Sequence, residues 1–482
     1  MRKVLVVGAG NAALCAAISA AEQGAQVTVL ERAPQDARGG NSAFTGGCFR
    51  TVYNGVDDIA RLVPDLTPEE RATTDFGSYD AARFHMDLCE LSGYRADPAL
   101  IEILVEESLP TLLWMRDQGV RFLPAYGRQS FKVDGRNVFW GGLTGETAGG
   151  GVGLVDALFR RAASLGVEIR YDHKVERLLG DRHRVIGVEV NGQDVVGDAV
   201  ILAAGGYHAN TEWRVRYLGQ GWDLAKVRGS RYNTGNVIRA ALDLGTRSHG
   251  NWSGCHSVFF DAGADDFGNL AVLNQQKNYF TLGVVVNREG RRFFDEGADF
   301  RNYTYSRMGA AVLKQPGGTG WQIFDAQSVP ILPDEYRVPR AARFEADSLP
   351  ALAAKLEGID AERFLNTIAE FNAAVDETMP FNPAIKDGRA TRGLAIDKTN
   401  WARALATPPF VAYQVTCGIT LTYGGLAIDE QARVQNEEGE AISGLFAAGE
   451  LVGGLYWDRY PGGAGLTSGA VFGRIAGLAA AL

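Results

Sequence analysis

Two glycines and three alanines near the N-terminus, in Gly8-Ala9-Gly10-Asn11-Ala12-Ala13, have the spacing that lets a backbone turn receive a phosphate. Gly8 allows the tight turn, Gly10 lets the main chain approach a pyrophosphate, and Ala13 keeps the following helix close to the preceding strand. Roughly 20 residues further on stands Glu31, where a carboxylate accepts from a ribose 2′-hydroxyl, followed by Arg32. The chemistry is the grip of a dinucleotide.

Three further glycine-rich loops decide how long that dinucleotide is. One carries hydroxyl and amide side chains in Gly40-Asn41-Ser42-Ala43-Phe44-Thr45-Gly46-Gly47. Two lie near the other end of the chain, Gly444 to Glu450 with Gly449, and Gly462 to Gly469 with Gly465, Leu466 and Thr467. Ala204-Gly205 closes another apolar strand and forms a further wall. A ligand touched by both ends of a chain is long, as FAD is.

These residues need a frame. Residues 4–7 read as a buried strand, 12–23 as a small-residue helix and 26–30 as a second strand, a βαβ start. Helices are expected at 99–118 and 154–165, strands at 168–171, 185–190 and 199–203, and a last helix from Leu466. The fold class is α/β, with a discontinuous Rossmann-like FAD-binding domain and an inserted α+β capping domain. The expected division is 1–250, 251–420 and 421–482, the outer parts holding the cofactor and the middle one capping the substrate.

Composition narrows the partners. With 48 Lys and Arg against 57 Asp and Glu, the formal net charge is −9, which disfavours nucleic acid and anionic membranes. No run of about 18 uninterrupted apolar residues marks an integral membrane segment. The apolar start breaks at Gly8, so it reads as a strand and not as a signal peptide. The five cysteines, Cys15, Cys48, Cys89, Cys255 and Cys417, form no CxxC pair, so no metal site is expected. Their odd number and wide spacing fit a reducing cytoplasm, and the electron acceptor must be a separate molecule.

The segments GAGNAALCAA, ERAP, RGGNSAFT, GCHSV, GRRFFDEGADFRNYTY, TCGIT and YPGGAGLTSGAVFGRIAG, in this order, resemble the flavoprotein family of soluble fumarate reductases, succinate dehydrogenase flavoprotein subunits and 3-ketosteroid dehydrogenases. Within it the likeness leans to the FAD-dependent tricarballylate dehydrogenases. The resemblance implies hydride exchange between a substrate carbon and the flavin, with a proton moving at the neighbouring carbon. It implies noncovalent FAD, because no histidine stands at Gly40-Asn41-Ser42, where covalently flavinylated relatives carry one. It points to Arg301 as proton donor or carboxylate clamp, His256 as a substrate-binding histidine and Arg459 as a carboxylate-binding fork. Tyr460 resembles the ketone-polarising tyrosine of the ketosteroid enzymes, and Thr422 and Tyr303 complete the expected substrate contacts. Two departures argue against simple fumarate reduction: Leu421 replaces a histidine, and Gln276 and Tyr279 stand where a glutamate–arginine proton relay is expected. The expected reaction is FAD-dependent dehydrogenation α,β to a carboxyl or carbonyl of a small carboxylated, tricarballylate-like substrate. The alternatives are desaturation of a cyclic ketone or keto-acid, a fumarate-reductase-like ene reduction, and a non-enzymatic flavin electron relay.

Overall fold

A strand apolar on both faces must be covered on both, which suits the middle of a parallel sheet. That is where β1 (Lys3–Val7) lies, buried throughout beyond Lys3. The computed structural model describes residues 1–272 and 275–482. From β1 the chain turns into α1 (Asn11–Glu22) and returns as β2 (Gln26–Leu30), parallel to β1 with Val6 opposite Val29. A long excursion contains α2 (Pro98–Asp117), capped by the Asp97 carboxylate, before α3 (Gly150–Ser164) leads to β3 (Glu168–Arg170). A three-stranded antiparallel meander, Val175–Gly180, Val185–Val190 and Gln193–Val196, precedes β4 (Ala199–Leu202). The expected elements therefore form within a few residues of their predicted bounds.

The capping region has its own sheet. It consists of β5 (Ser248–Asp261), β6 (Val284–Asn287), β7 (Thr319–Phe324), β8 (Arg343–Ala346) and the long β9 (Phe410–Leu426). The last is the spine: β5, β7 and β8 all pair antiparallel with it, and Lys226–Val227 pairs parallel. Helix Ala361–Ala374 buries Phe364, Ile368 and Phe371 in a separate core with Trp321 and Ile323. Both β5 and β9 run on into the nucleotide region, Asp261 pairing with Val415 at one end and Ser248 with Leu426 at the other.

The chain then completes the first sheet with β10 (Arg433–Gln435) and β11 (Ala441–Ala447), and ends in α4 (Ala464–Ala481). The order is β10-β11-β4-β1-β2-β3, parallel except for β10. This is the expected Rossmann-like layer, finished by the C-terminal segment. With 18 residues and a mean hydropathy of 1.2, α4 passes the length and composition test for a membrane span. It is instead an interior helix, 61 % buried.

The packing of α4 on α1 depends on small residues. A Cβ on Gly473 would lie 2.4 Å from the Ala12 carbonyl oxygen, and one on Gly477 would lie 2.2 Å from that of Ala16. Both contacts are with rigid helical backbone, so relief requires the helices to separate. Gly473→Ala is expected to destabilise the fold by about 1–3 kcal/mol, the scale for overpacking. Urea denaturation of the holoprotein measures it, and an unchanged midpoint would show that the helices separate freely.

Candidate active site

Gly8 has φ +105°, a left-handed conformation, and a Cβ there would lie 2.5 Å from the Ala203 carbonyl oxygen. Only glycine fits that turn. The helix it launches gets no cap from its own N-cap residue and has no acidic residue in its first turn; the Asn11 N–H donates to Ser42 Oγ at 3.0 Å, and the N–H groups after it suit an anion. Around this point lie two adjoining cavities, which share Gly10, Asn41 and Ala203.

The smaller cavity holds Gly8, Glu31, Arg32, Gly40, Ala204 and Gly205. Glu31 is buried, and one of its oxygens accepts from the Ala33 N–H at 2.7 Å. Burial raises its pKa, against hydrogen bonds from Ala33 and Ala9 that lower it. Arg32 spends its Nη1 on Tyr232, Thr234 and Asn236, so it braces this wall. The larger cavity takes in Asn11, Ala12, Ser42, Thr45, Gly46, Gly449, Glu450, Gly465 and Leu466. Asn11 donates to the Leu466 carbonyl at 2.9 Å and Asn41 to that of Thr420 at 2.5 Å, which ties the phosphate turn to the C-terminal loop and to β9. Gly47 and Thr467 lie behind the lining: a Cβ on Gly47 would meet Thr147, and Thr467 donates to the Arg50 carbonyl at 2.7 Å. A long cleft with a ribose carboxylate at one end and a helix start without its own N-cap side chain at its middle fits FAD. When bound, FAD supplies two-electron hydride chemistry at its flavin ring.

Beyond the cradle the larger cavity is walled by both regions. Arg301 is 9 % exposed and its guanidinium lies over Tyr279 at 4.2 Å and Trp140 at 5.0 Å. It donates to the Arg128 carbonyl and, at 3.1 Å, to the Tyr279 hydroxyl. It has no acidic partner among the described residues. Arg128, by contrast, pairs with Glu335 and with Glu146 at 3.3 Å. His256 is 2 % exposed, with neither ring nitrogen hydrogen-bonded, between the rings of Tyr305 and Tyr460. Burial and then Arg228 hold it well below the usual imidazole range, so it is neutral. The hydroxyls of Tyr305 and Tyr460 are 2.8 Å apart, and burial raises the pKa of both. Burial and Glu146 push the Cys48 thiol up to about 12.

The predicted residues are thus only partly brought together. Arg301, His256 and Tyr460 share the cavity, as do Gln276, Tyr279 and Leu421. Tyr303 does not line it and donates to the Gly141 carbonyl at 3.1 Å. The reason is helical: Arg301–Thr304 is a helical turn, so Arg301 and Tyr305, four apart, share a face and Tyr303 lies opposite. Thr422 lines a smaller neighbouring pocket beside Glu450, to which its N–H donates at 2.9 Å. Thr420 takes the cavity position, because His256 pairs with Leu421 while Ser257 pairs with Ile419, leaving Thr420 as the extra residue of a bulge. Arg459 does not line the cavity; its N–H donates to the Leu91 carbonyl and its Nε lies 3.8 Å from Asp458. The sequence reading missed Tyr305, which helical spacing from Arg301 would have found. It also missed Arg228, which lies in no motif.

An FAD cradle opening into a capped cavity lined with cations and hydroxyls defines an FAD-dependent oxidoreductase. Residues 3–466 match the family model described as FAD binding domain, and the chain belongs to that family. It is 29 % identical to a fumarate reductase (cytochrome) of Shewanella frigidimarina, over 99 % of this chain and 76 % of that one. It is 25 % identical to a 4-oxocyclohexanecarboxylate 2-dehydrogenase of Sinomonas cyclohexanicum, over 97 % and 90 %. The open conformation of a flavocytochrome c3 fumarate reductase superposes with a TM-score of 0.73 at 26 % identity, over 100 % of this chain and 78 % of that one. The chain is an FAD-dependent oxidoreductase acting on carbon–carbon bonds.

Glu31→Ala is expected to weaken FAD binding by about 1–3 kcal/mol, the scale for a hydrogen bond to a charged group. Titration of apoprotein with FAD measures it; unchanged affinity would remove Glu31 from the ribose.

Proposed function

We propose that this enzyme is an FAD-dependent dehydrogenase that forms a C=C bond α,β to a carboxyl or carbonyl group of a small carboxylated, tricarballylate-like substrate. The observation that carries this reading is Arg301. A guanidinium is a permanent cation, and one buried without an acidic partner is costly unless an anion joins it. Arg301 faces a cavity continuous with the FAD cradle, so the anion it awaits is a substrate carboxylate. The relatives named for fumarate and 4-oxocyclohexanecarboxylate are both named for carboxylates. Electrons leave to a separate acceptor. A flavin electron relay would need no such cavity.

A second reading rests on the Tyr305–Tyr460 pair. One hydroxyl donates to the other, which leaves the second proton for a ligand carbonyl. That arrangement would polarise the ketone of a cyclic keto-acid.

Anaerobic flavin bleaching with a panel of polycarboxylates and cyclic ketones separates the two, read by stopped flow with FAD content checked. For a polycarboxylate, Arg301→Lys abolishes bleaching because the planar fork is lost, and Tyr460→Phe changes mainly the affinity. For a ketone, Tyr460→Phe costs about 10²-fold or more in rate, as loss of an oxyanion-type donor does. If both variants bleach at the wild-type rate, the site is misassigned.

The loop at 40–47 contains no histidine, so the flavin is expected to be noncovalent. Acid precipitation should leave the yellow colour in the supernatant; flavin retained on the denatured chain would contradict it.

A further inference from the structure

A second guanidinium in the same cavity has no role in the reading above. Arg228 follows the short strand Lys226–Val227, and its backbone N–H is held by the Ile419 carbonyl at 2.8 Å. Its side chain is 8 % exposed. Nη1 donates to the Thr420 hydroxyl at 3.1 Å, and Nε has no hydrogen-bond partner. No acidic residue pairs with it among the described residues.

The carboxylates of the cavity wall are committed elsewhere. Glu335 pairs with Arg128, and Glu450 accepts from His208 at 2.9 Å, from the Thr422 N–H and from Asn233. That leaves two cations, Arg228 and Arg301, without a counter-charge in one enclosed space. The surroundings of Arg228 are complementary to a carboxylate. Thr420 accepts from Arg228, so its own proton is free to donate outward. The neutral His256 offers one donor beside it, both of its ring nitrogens being unpartnered. Arg228 lies close enough to His256, Tyr305 and Tyr460 to act on them electrostatically, which places its charge on the substrate side of the cavity.

We propose that Arg228, with the Thr420 hydroxyl, anchors a second carboxylate of the substrate, so that the cavity selects small molecules bearing at least two anionic groups, one at each of Arg228 and Arg301. This rests on the dehydrogenase reading of the same site. It assigns the carboxylate clamp to a residue from the first half of the chain.

The test is ligand binding to the holoenzyme, read as perturbation of the flavin absorbance. The probes are malonate, succinate and glutarate against propionate, butyrate and valerate, with wild type, Arg228→Met and Arg228→Lys. In wild type the best dicarboxylate is expected to bind at least about 100-fold tighter than a monocarboxylate of equal length, the scale of a desolvated charge pair. In Arg228→Met that preference disappears while monocarboxylate affinity stays within a few-fold, and Arg228→Lys recovers part of it. Methionine matches the arginine stem as far as Nε and removes an uncompensated buried charge, so Arg228→Met is expected to keep or raise the Tm of the ligand-free protein. A wild type without dicarboxylate preference, a methionine variant that keeps the preference, or one that loses FAD would each overturn the proposal. Selective dicarboxylate binding with no bleaching by any donor would sink the dehydrogenase reading alone. Bleaching by a monocarboxylate or cyclic ketone without dicarboxylate preference would sink the Arg228 clamp alone.

Discussion

The backbone contact between the turn after β1 and the end of β4 is the constraint from which the site follows. A side chain at Gly8 would collide with the Ala203 carbonyl, so the turn is pressed onto the sheet and α1 starts where the two cavities meet. The helix start must then be enclosed without a cap from its own N-cap residue. The other end of the chain does this: α4 lies against α1 across Gly473 and Gly477, which brings the loop before it to Asn11. Methyl groups at either glycine would move that loop, and with it Tyr460, away from the cradle. Cofactor binding and the substrate wall are therefore coupled through helix packing far from the chemistry.

The second determinant is the placement of charge in a poorly hydrated wall. The buried cations here are held in two ways: Lys277 pairs with Asp261 at 3.3 Å, whereas Arg50, Arg214 and Lys398 donate to backbone carbonyls. Arg301 belongs with the second group but, unlike those three, lines the cavity. Aromatic faces on Trp140 and Tyr279 and two neutral oxygens hold it, which orients the guanidinium without cancelling its charge. Burying a cation this way costs stability that a paired arginine would not, several kcal/mol in unfavourable cases. A fold that tolerates the cost next to its cofactor is arranged for an anionic ligand.

How legible this was in the sequence depended on the physics involved. The cradle depends on local geometry, in which each residue acts near its own place in the chain, so Gly8, Gly10, Glu31 and the loops around Asn41, Glu450 and Leu466 could be read directly. The first parallel pair, β1 with β2, followed from the same βαβ start. The substrate wall depends on contacts between distant segments. Thr420 replaces Thr422 in the cavity because of one extra residue in β9, and no residue type announces a bulge. Arg459 and Tyr460 are neighbours, yet only Tyr460 lines the cavity. Arg228 is one of many arginines in the sequence and becomes distinctive only when the fold sets it in the cavity wall with no acidic partner among the described residues.

The same surroundings limit how a proton can leave the substrate on the proposed reading. Burial holds His256 neutral well below its usual range and keeps Tyr305, Tyr460 and Cys48 protonated. Glu335, the carboxylate on the cap side, is bound to Arg128. A strong resting base is therefore absent from these groups. A carbon next to a carboxylate sheds its proton reluctantly because the resulting enediolate concentrates negative charge. Two unneutralised guanidiniums in a low-dielectric wall oppose that directly, and electrostatic stabilisation of this kind is commonly the largest single contribution to catalysis. The cations then lower the demand on the base until a weak acceptor such as the neutral His256 imidazole suffices. In the reverse direction the same His256, protonated, would return the proton to the carbon. The arrangement thus favours neither direction by itself; the potential of the electron acceptor sets which way the carbon–carbon bond changes.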